Sequence, residues 1–496
     1  MSDASELKGV YSAIALYDNP GDPDGTARAG NDALMLKSCI EVFSNNENRN
    51  DQLYEIYEGT VALHKVPTIV PERYKKLRVG CPWPEIAVQS VVERSRFEGY
   101  VFPENTEDTD RMAALADRCE VTLGYQAGLT DSLIAGVSFA TVGRDENGAC
   151  LRWHTAQSAA GIWDYANGRL RCGFAIVDRC RKKVATSGDE HWDTVPSQVD
   201  FYTAAGVWEL SREDATSPWV AEWLPDPMGE PRMVALVFRP DGRHPLGRSR
   251  FTVPMRGIVQ EYMANALNLH VASEFTAVGQ KWATGLSDEQ LQVFAANKWG
   301  ASADTVVLAT DNPDTGGNPQ FGNFTQQSME PVLSVKRSLA TDFAAAASIP
   351  VSELLTQDSN PTSAEAITAM ENRLISLVEC VNARNERTLR KLALMLMATE
   401  EDKSIAELTD EQKAVMVHMR SPQTVSAAGQ SDAMLKRIQS IPYLAESDVA
   451  IEELGFTTDQ IARLKSDRDR YVTKQAVAQA AQAAGLDLSG ESEVAE

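Results

Sequence analysis

The sequence predicts an α+β fold, predominantly helical and divided into several domains. Three observations carry that expectation. Alternating apolar and polar segments separated by turn-forming residues crowd into residues 30–245; a proline-free stretch with helical apolar spacing covers 255–284; and a still longer one runs over 363–399. At 496 residues, 43% hydrophobic and 24% charged, the chain has enough apolar surface for two or more cores.

Residues 1–29 include NPGDPDGTARAG, rich in Gly, Pro and Asp, and are expected to form a loosely ordered extension before helical patterning resumes near Asn31. Asp22, Asp24 and Gly25 have a faint likeness to a calcium loop, but the other ligands are missing and the pattern suits an ordinary turn. WPEIAVQSVVERS (83–95) places Ile86, Val88, Val91 and Val92 near one side of a short helix, and FEGYVF then turns extended. A polar helix is expected around 107–128. DSLIAGVSFATVGRDENGACLRW after it reads as helix end, strand, Asp-Glu-Asn-Gly turn and strand. GRLRCGFAIV, DFYTAAGVWEL and RMVALVFRP add further alternating segments.

From Gly247 the character changes. Met255, Ile258, Tyr262, Ala266 and Leu269 recur at helical spacing, predicting a helix of about 40 Å. A short helix, the β-rich TVVLAT and a Gly/Pro/Asn-rich loop over 286–324 suggest a small compact insert. Helical spacing returns through Val332, Val335, Leu339 and Phe343 and halts at Ile349-Pro350, because proline pushes its predecessor out of the α region. Thr362 and Glu365 fit a capping box opening the longest helix, whose stripe runs through Ile367, Met370, Leu374, Leu377, Val378, Val381, Leu389, Leu392 and Leu396. A strand at AVMVHMR, a helix around DAMLKRIQS and an Ala/Gln-rich tail complete the chain.

The net charge of −23 argues against a surface that collects nucleic-acid phosphates or anionic membranes as a whole. Seven cysteines (Cys39, Cys81, Cys119, Cys150, Cys172, Cys180 and Cys380), odd in number and without a C-x-x-C pair, argue for reduced thiols and against zinc. The start MSDASELKGV lacks the features of a signal peptide, and no run of about 18 apolar residues occurs, so a cytoplasmic chain that does not span a membrane is expected.

The sequence contains no phosphate-binding glycine loop, no H-E-x-x-H and no G-x-S-x-G. His64, His154, His191, His244, His270 and His418 lie too far apart for metal-ligand spacing. No catalytic residue, metal site or cofactor is expected, and the chain reads as a non-enzyme. A two-metal nuclease site built from distant carboxylates would leave no local signature.

Six stretches in this order resemble portal proteins of tailed bacteriophages, of the long-tailed type. They are LYEIYEGTVAL (53–63), WPEIAVQSVVERSRFEGY (83–100), SLIAGVSFATVGRDENG (132–148), HPLGRSRF (244–251), SIPVSELLTQDSNPTSAEAITAMENRL (348–374) and SDAMLKRIQSIPYLAESDVAIEELGFTTDQI (431–461). The fifth is the most specific: a helix, Ile-Pro, a polar loop, then Ser-Ala-Glu-Ala opening a long helix.

The resemblance implies a homo-oligomeric ring, usually of twelve subunits, at one capsid vertex. Double-stranded DNA would be pumped in through it and later ejected. It implies a wing over 30–254, a first stem helix over 255–284, a clip over 285–328 and a second stem helix over 329–348. A tunnel loop (349–362), a long wing helix (363–399), a helical crown (400–480) and a flexible tail (481–496) follow. Implied partners are the terminase large subunit, the head-tail adaptor, and the major capsid and scaffolding proteins, in the virion after assembly in the host cytoplasm, with no membrane.

On that resemblance the channel-facing loop residues are Ser352, Glu353, Thr356, Gln357, Asp358, Ser359 and Asn360. Without Lys or Arg, the loop can touch phosphates by hydrogen bonds without sequence reading, yet cannot hold DNA by counterion release. Lys281, Lys336 and Arg337 are candidates for basic groups facing the lumen; alternatively they pair with carboxylates of a neighbouring subunit. Trp299, Asp311, Asn312, Asp314, Asn318 and Gln320 are candidate clip contacts to terminase or connector. Trp282 and Trp299 serve equally as core anchors or interface residues. Alternatives to the portal are another virion structural protein, such as a head-tail connector or scaffold, or a DNA-packaging enzyme.

Overall fold

The computed structural model describes residues 3–65, 74, 76–103, 105–186, 189–278, 281–284, 320–323, 328–354, 364–423, 427–447, 450–451, 454, 456 and 458–483. They fall into two compact units. The first comprises residues 1–92, 127–141 and 153–377, and the second 93–126, 142–152 and 378–496. Residues 30–254 are thus shared between the two units.

In the first unit, β4 (Ala159–Asp164), β5 (Arg169–Thr186), β6 (Asp189–Tyr202), β7 (Gly206–Ser211) and β8 (Val220–Pro225) form an antiparallel meander in sequence order. β5 and β6 stay paired from Gly173↔Tyr202 out to Thr186↔Asp189, with irregular register around Asp178. One face carries the alternate residues Cys172, Phe174 and Ile176, which meet Val199, Phe201, Trp208 and Leu210 in a core cluster.

Helix α3 (Pro23–Tyr57) covers that face with Ala29, Ala33, Leu36, Ile40 and Phe43. The acidic turn before it is a helix cap: Asp22 Oδ1 accepts from the Gly25 amide at 3.1 Å and Pro23 occupies the first turn. This helix thus begins eight residues before Asn31.

The loosely ordered extension expected over residues 1–29 is corrected. Helices α1 (Asp3–Glu6) and α2 (Val10–Ala15) occupy it, and Leu7, Val10 and Ile14 are wholly buried in the same core cluster. Asp3 takes both Nη atoms of Arg179, at 3.0 and 2.6 Å, and Glu6 pairs with Lys182 at 2.6 Å and with the buried Arg212 at 3.4 Å. Apolar burial and these ion pairs together hold a segment whose local composition gives it little reason to be ordered.

Helix α4 (Trp83–Val92) buries Trp83, Ala87, Val88, Val91 and Val92. The polar helix expected over 107–128 is two helices, α5 (Thr106–Arg118) and α6 (Val121–Ala135), parted at Glu120 with φ +49°. Strand β2 (Val137–Asp145) and strand β3 (Gly148–His154) flank the expected turn, where Asp145 Oδ1 accepts from the Asn147 amide at 2.7 Å. The first half of β2 pairs antiparallel with β9 (Met233–Val237), from Val137↔Val237 to Thr141↔Met233.

Helix α7 (Val253–Val278) is shorter than the expected 255–284, because residues 281–284 leave the helix as strand β10 (Lys281–Thr284), paired with β11 (Gln320–Asn323). Its buried stripe is Met255, Val259, Met263, Leu267 and Val271, one residue off the predicted one; Ile258, Tyr262, Ala266 and Leu269 are half-buried. Helix α8 (Glu330–Ala347) falls where helical spacing was expected up to Ile349-Pro350, but Val335 is exposed and the burial falls on Leu339, Ala340, Phe343, Ala344 and Ala347. Helix α9 (Ala364–Glu400) agrees with the expected 363–399 to within a residue at each end. The TVVLAT segment and the Thr362 cap lie outside the described residues.

The second unit has its own polar and apolar core. Ser95 Oγ donates to Asn382 Oδ1 at 2.6 Å and lies 2.8 Å from the Tyr125 hydroxyl, which accepts from Asn385 Nδ2 at 2.9 Å. All four groups are buried, so each needs the others. Strand β1 (Phe97–Val101) pairs with β12 (Met416–Met419), the strand expected at AVMVHMR. Glu400 accepts from Arg118 at 2.6 Å and from the Ala149 amide at 2.8 Å. Short helix α10 (Asp410–Lys413), helix α11 (Ala427–Ser440) and helix α12 (Thr458–Ala483) complete the described chain.

Candidate functional site

The site built by the sequence is the end of α8 and the loop that follows. Ser348 caps α8 in the left-handed region, φ +58° and ψ +41°, and the Ile349 amide turns back to the Ala344 carbonyl at 3.1 Å. Pro350 is extended, and a 3₁₀ turn over Val351–Glu353 leaves Ser352 and Glu353 exposed. Thr356, Gln357, Asp358, Ser359 and Asn360 lie outside the described residues.

Helices α7 and α8 run together below this point. Asn265 Nδ2 donates to the Val332 carbonyl at 3.3 Å, and Trp83 inserts its buried indole between Tyr262 and Phe343, with ring centroids at 4.4 and 5.6 Å. Cys81 is buried beside them, and burial pushes its thiol up to about 12. The exposed face of α8 carries Ser334, Ser338, Thr341 and Ala345 one turn apart.

Two of the predicted basic groups, Lys336 and Arg337, have contacts within the subunit. Lys336 Nζ sits 5.8 Å over the Tyr262 ring. Arg337 pairs with Glu330 of its own helix at 2.9 Å, both side chains more than 60% exposed, which makes it a weak, salt-sensitive contact. Lys281 opens β10 opposite Asn323. Of the clip candidates, Gln320 is exposed on β11 opposite Thr284. Trp299, Asp311, Asn312, Asp314 and Asn318 lie outside the described residues. The structure thus places Lys336 and Arg337 on one helix; of the rest of the predicted set only Lys281, Gln320, Ser352 and Glu353 lie within the described residues.

One residue of this site went unassigned in the sequence although its motif, HPLGRSRF, stood out. Arg250 is 1% exposed and donates Nη2 to the carbonyl of Ala347, the last residue of α8, at 2.7 Å. Burial, and next the positive charge of Arg239, pull its guanidinium down to about 9. Nothing local announces the role, because its acceptor is 97 residues away.

Among the described residues no three His, Cys, Asp or Glu side chains gather as metal ligands, and no helix is long and apolar enough to cross a membrane. What the arrangement offers is hydrogen-bonding polar surface beside a firmly packed helix pair.

The chain is similar along most of its length to phage portal proteins, and the long-tailed type fits. The portal protein of Mycobacterium phage D29 is 23% identical over 443 residues, covering 87% of this chain and 88% of its own; that of Mycobacterium phage L5 is 22% identical over 353 residues, 71% of each. Among solved structures, the neck of an empty GTA particle computed with C6 symmetry aligns with TM-score 0.38 and 13% identity, over 75% of this chain and 90% of that one. The neck of a native GTA particle computed with C12 symmetry gives TM-score 0.36 and 14% identity, over 91% and 99%. No protein-family model matches the chain.

Proposed function

We propose that this chain is the portal subunit of a tailed phage. Identical copies form a ring at a unique capsid vertex, the conduit through which double-stranded DNA enters during packaging and leaves on ejection. The ring docks the terminase motor and later the head-tail connector. The observation that carries this reading is the similarity to a portal protein across 87% of this chain and 88% of that one, which leaves no large segment of either to supply a different role.

The chemistry of the chain supports a conduit. A net charge of −23 raises the free energy of phosphate near the wall, so that DNA stays centred and slides. A basic ring would gain salt-sensitive affinity with every neutralised phosphate and stall the DNA. Residues 349–362 contain no Lys or Arg, and the two described cations nearest the loop on α8, Lys336 and Arg337, are occupied by Tyr262 and Glu330. Ser352, Glu353 and the polar residues to Asn360 form the tunnel loop, α7 and α8 the stem, and 285–328 the clip.

The test is electron microscopy of the purified chain viewed down the oligomer axis. Rings with a central opening wide enough for a duplex are expected. A monomer, or an assembly with no axial opening, contradicts the reading.

A further inference from the structure

We propose that Arg250 is a positioning residue, which sets the point where α8 stops and residues 349–363 begin by seating its guanidinium on the last carbonyl of that helix. The proposal deepens the portal reading, in which 349–362 is the tunnel loop, but the latch itself is a property of the first unit.

The argument starts from a charge that should not be where it is. An arginine in a protein keeps its proton, so a guanidinium that is 1% exposed needs compensation. Among the described residues no carboxylate forms an ion pair with Arg250, and its Nε has no hydrogen-bond partner. What faces it is the carboxyl end of a helix of 18 residues, where unsatisfied carbonyls concentrate partial negative charge. The Ala344 and Ala345 carbonyls are taken by the amides of Ile349 and Ser348; that of Ala347 is taken by Arg250.

The seat is rigid. The Arg250 amide donates to the Leu133 carbonyl at 2.8 Å, fixing the residue to the end of α6. Just before it, the Arg248 amide donates to the Phe238 carbonyl at 2.8 Å, and the Phe238 amide to the Gly136 carbonyl at 2.9 Å. Gly136 and Gly247 hold φ values of +104° and +80°, and a Cβ on Gly247 would collide with the carbonyl oxygens of Gly136 and Phe238. The guanidinium therefore arrives at α8 from a frame independent of that helix.

Two other devices end α8, and both are local: Ser348 in the left-handed region and Pro350, which cannot continue a helix. Serine pays a steric cost there that glycine would avoid. Among the described residues Arg250 is the stop signal anchored outside the helix, so it converts a frayable end into a fixed origin for the loop.

Arg250→Met separates a latch from a mere core residue, because the two predict opposite things. Methionine fills similar space without charge, so the melting temperature of the purified chain should hold or rise. Hydrogen exchange at the Ser348, Ile349 and Leu354 amides should nonetheless quicken by about tenfold or more, while amides of the β4–β8 sheet stay unchanged. Arg250→Lys, which keeps a cation and a donor, should fall between the two, and decides the matter by the same amides if the methionine variant does not fold. Unchanged exchange at these amides, or a uniform rise through the whole unit with a lower melting temperature, overturns the proposal. The measurement needs no ring or DNA, so the latch and the portal reading fail separately.

Discussion

The Tyr54 hydroxyl of α3 donates to Asp131 Oδ1 of α6 at 2.9 Å, in a site where burial pushes the carboxyl up to about 6 and the phenol well above its usual range. A buried carboxyl of this kind prefers its proton, and the tyrosine only partly offsets that preference.

The sign of the pH effect follows. Below about pH 4 folded and unfolded chains both hold the proton. As pH rises toward 6 the unfolded chain has released it and the folded chain has not, so folding stability declines through that window and stays lower above it. Asp131→Asn, which keeps an acceptor for Tyr54, should raise stability at pH 7.5 by on the order of 1–3 kcal/mol, with the gain vanishing near pH 4. Thermal melting of both proteins across that range checks it; a pH-independent difference would speak against the assignment.

Glu400 works in the opposite direction. Its hydrogen bond from Arg118, then that from the Ala149 amide, holds its carboxyl below the usual range, so its contribution is present at neutral pH and lost as acid protonates it. Arg118 is 40% exposed, and Glu400→Gln should cost no more than about 1 kcal/mol at pH 7. Gly148→Ala should cost more, about 1–3 kcal/mol, because the new Cβ would lie 2.6 Å from Glu400 Oε2 and the φ of +113° is strained for alanine. Urea unfolding midpoints should rank wild type above Glu400→Gln above Gly148→Ala.

Charge placed in the loop tests the conduit. Lysines in place of Ser352 and the polar residues through Asn360 should leave rings intact yet impair DNA filling of heads, since each new cation adds counterion-release affinity for passing phosphates. Heads that fill normally would remove the loop from the DNA path.

The clip assignment has a clean excision. Thr284 and Gln320 are partners in the β10–β11 ladder, so residues 285–319 can be replaced by an Asn-Gly turn without pulling the strands apart. The shortened chain should still fold and assemble while losing terminase binding in a pull-down. Undiminished binding would move the docking surface elsewhere.

Local pattern foretold helix α9 well because its apolar residues keep helical spacing on both sides of the buried Asn382 and Asn385, and a proline marks the break before it. After Met255 it misplaced the stripe of α7, because Ile258, Tyr262 and Leu269 are nearly as apolar as Val259, Met263 and Leu267, and only packing chooses between two greasy faces. Order in residues 3–15 was illegible for another reason: Asp3 and Arg179 meet across 176 residues of chain, and no window of sequence contains both. Of the candidate site, the helix, the proline stop and the absence of basic loop residues were visible. The engagement of Lys336 by Tyr262 and of Ala347 by Arg250 was not, since each depends on which segments fold against α8.

Burial of Leu7, Val10 and Ile14 beside Trp208 and Leu210 makes the opening dozen residues a cover plate for the five-stranded sheet. Trimming a recombinant version back to Pro23 would strip that plate, wet a tryptophan-rich patch and invite clumping in the test tube. Purification handles and fluorescent fusions therefore belong ahead of Asp3 on a spacer, with residues 3–15 left in place.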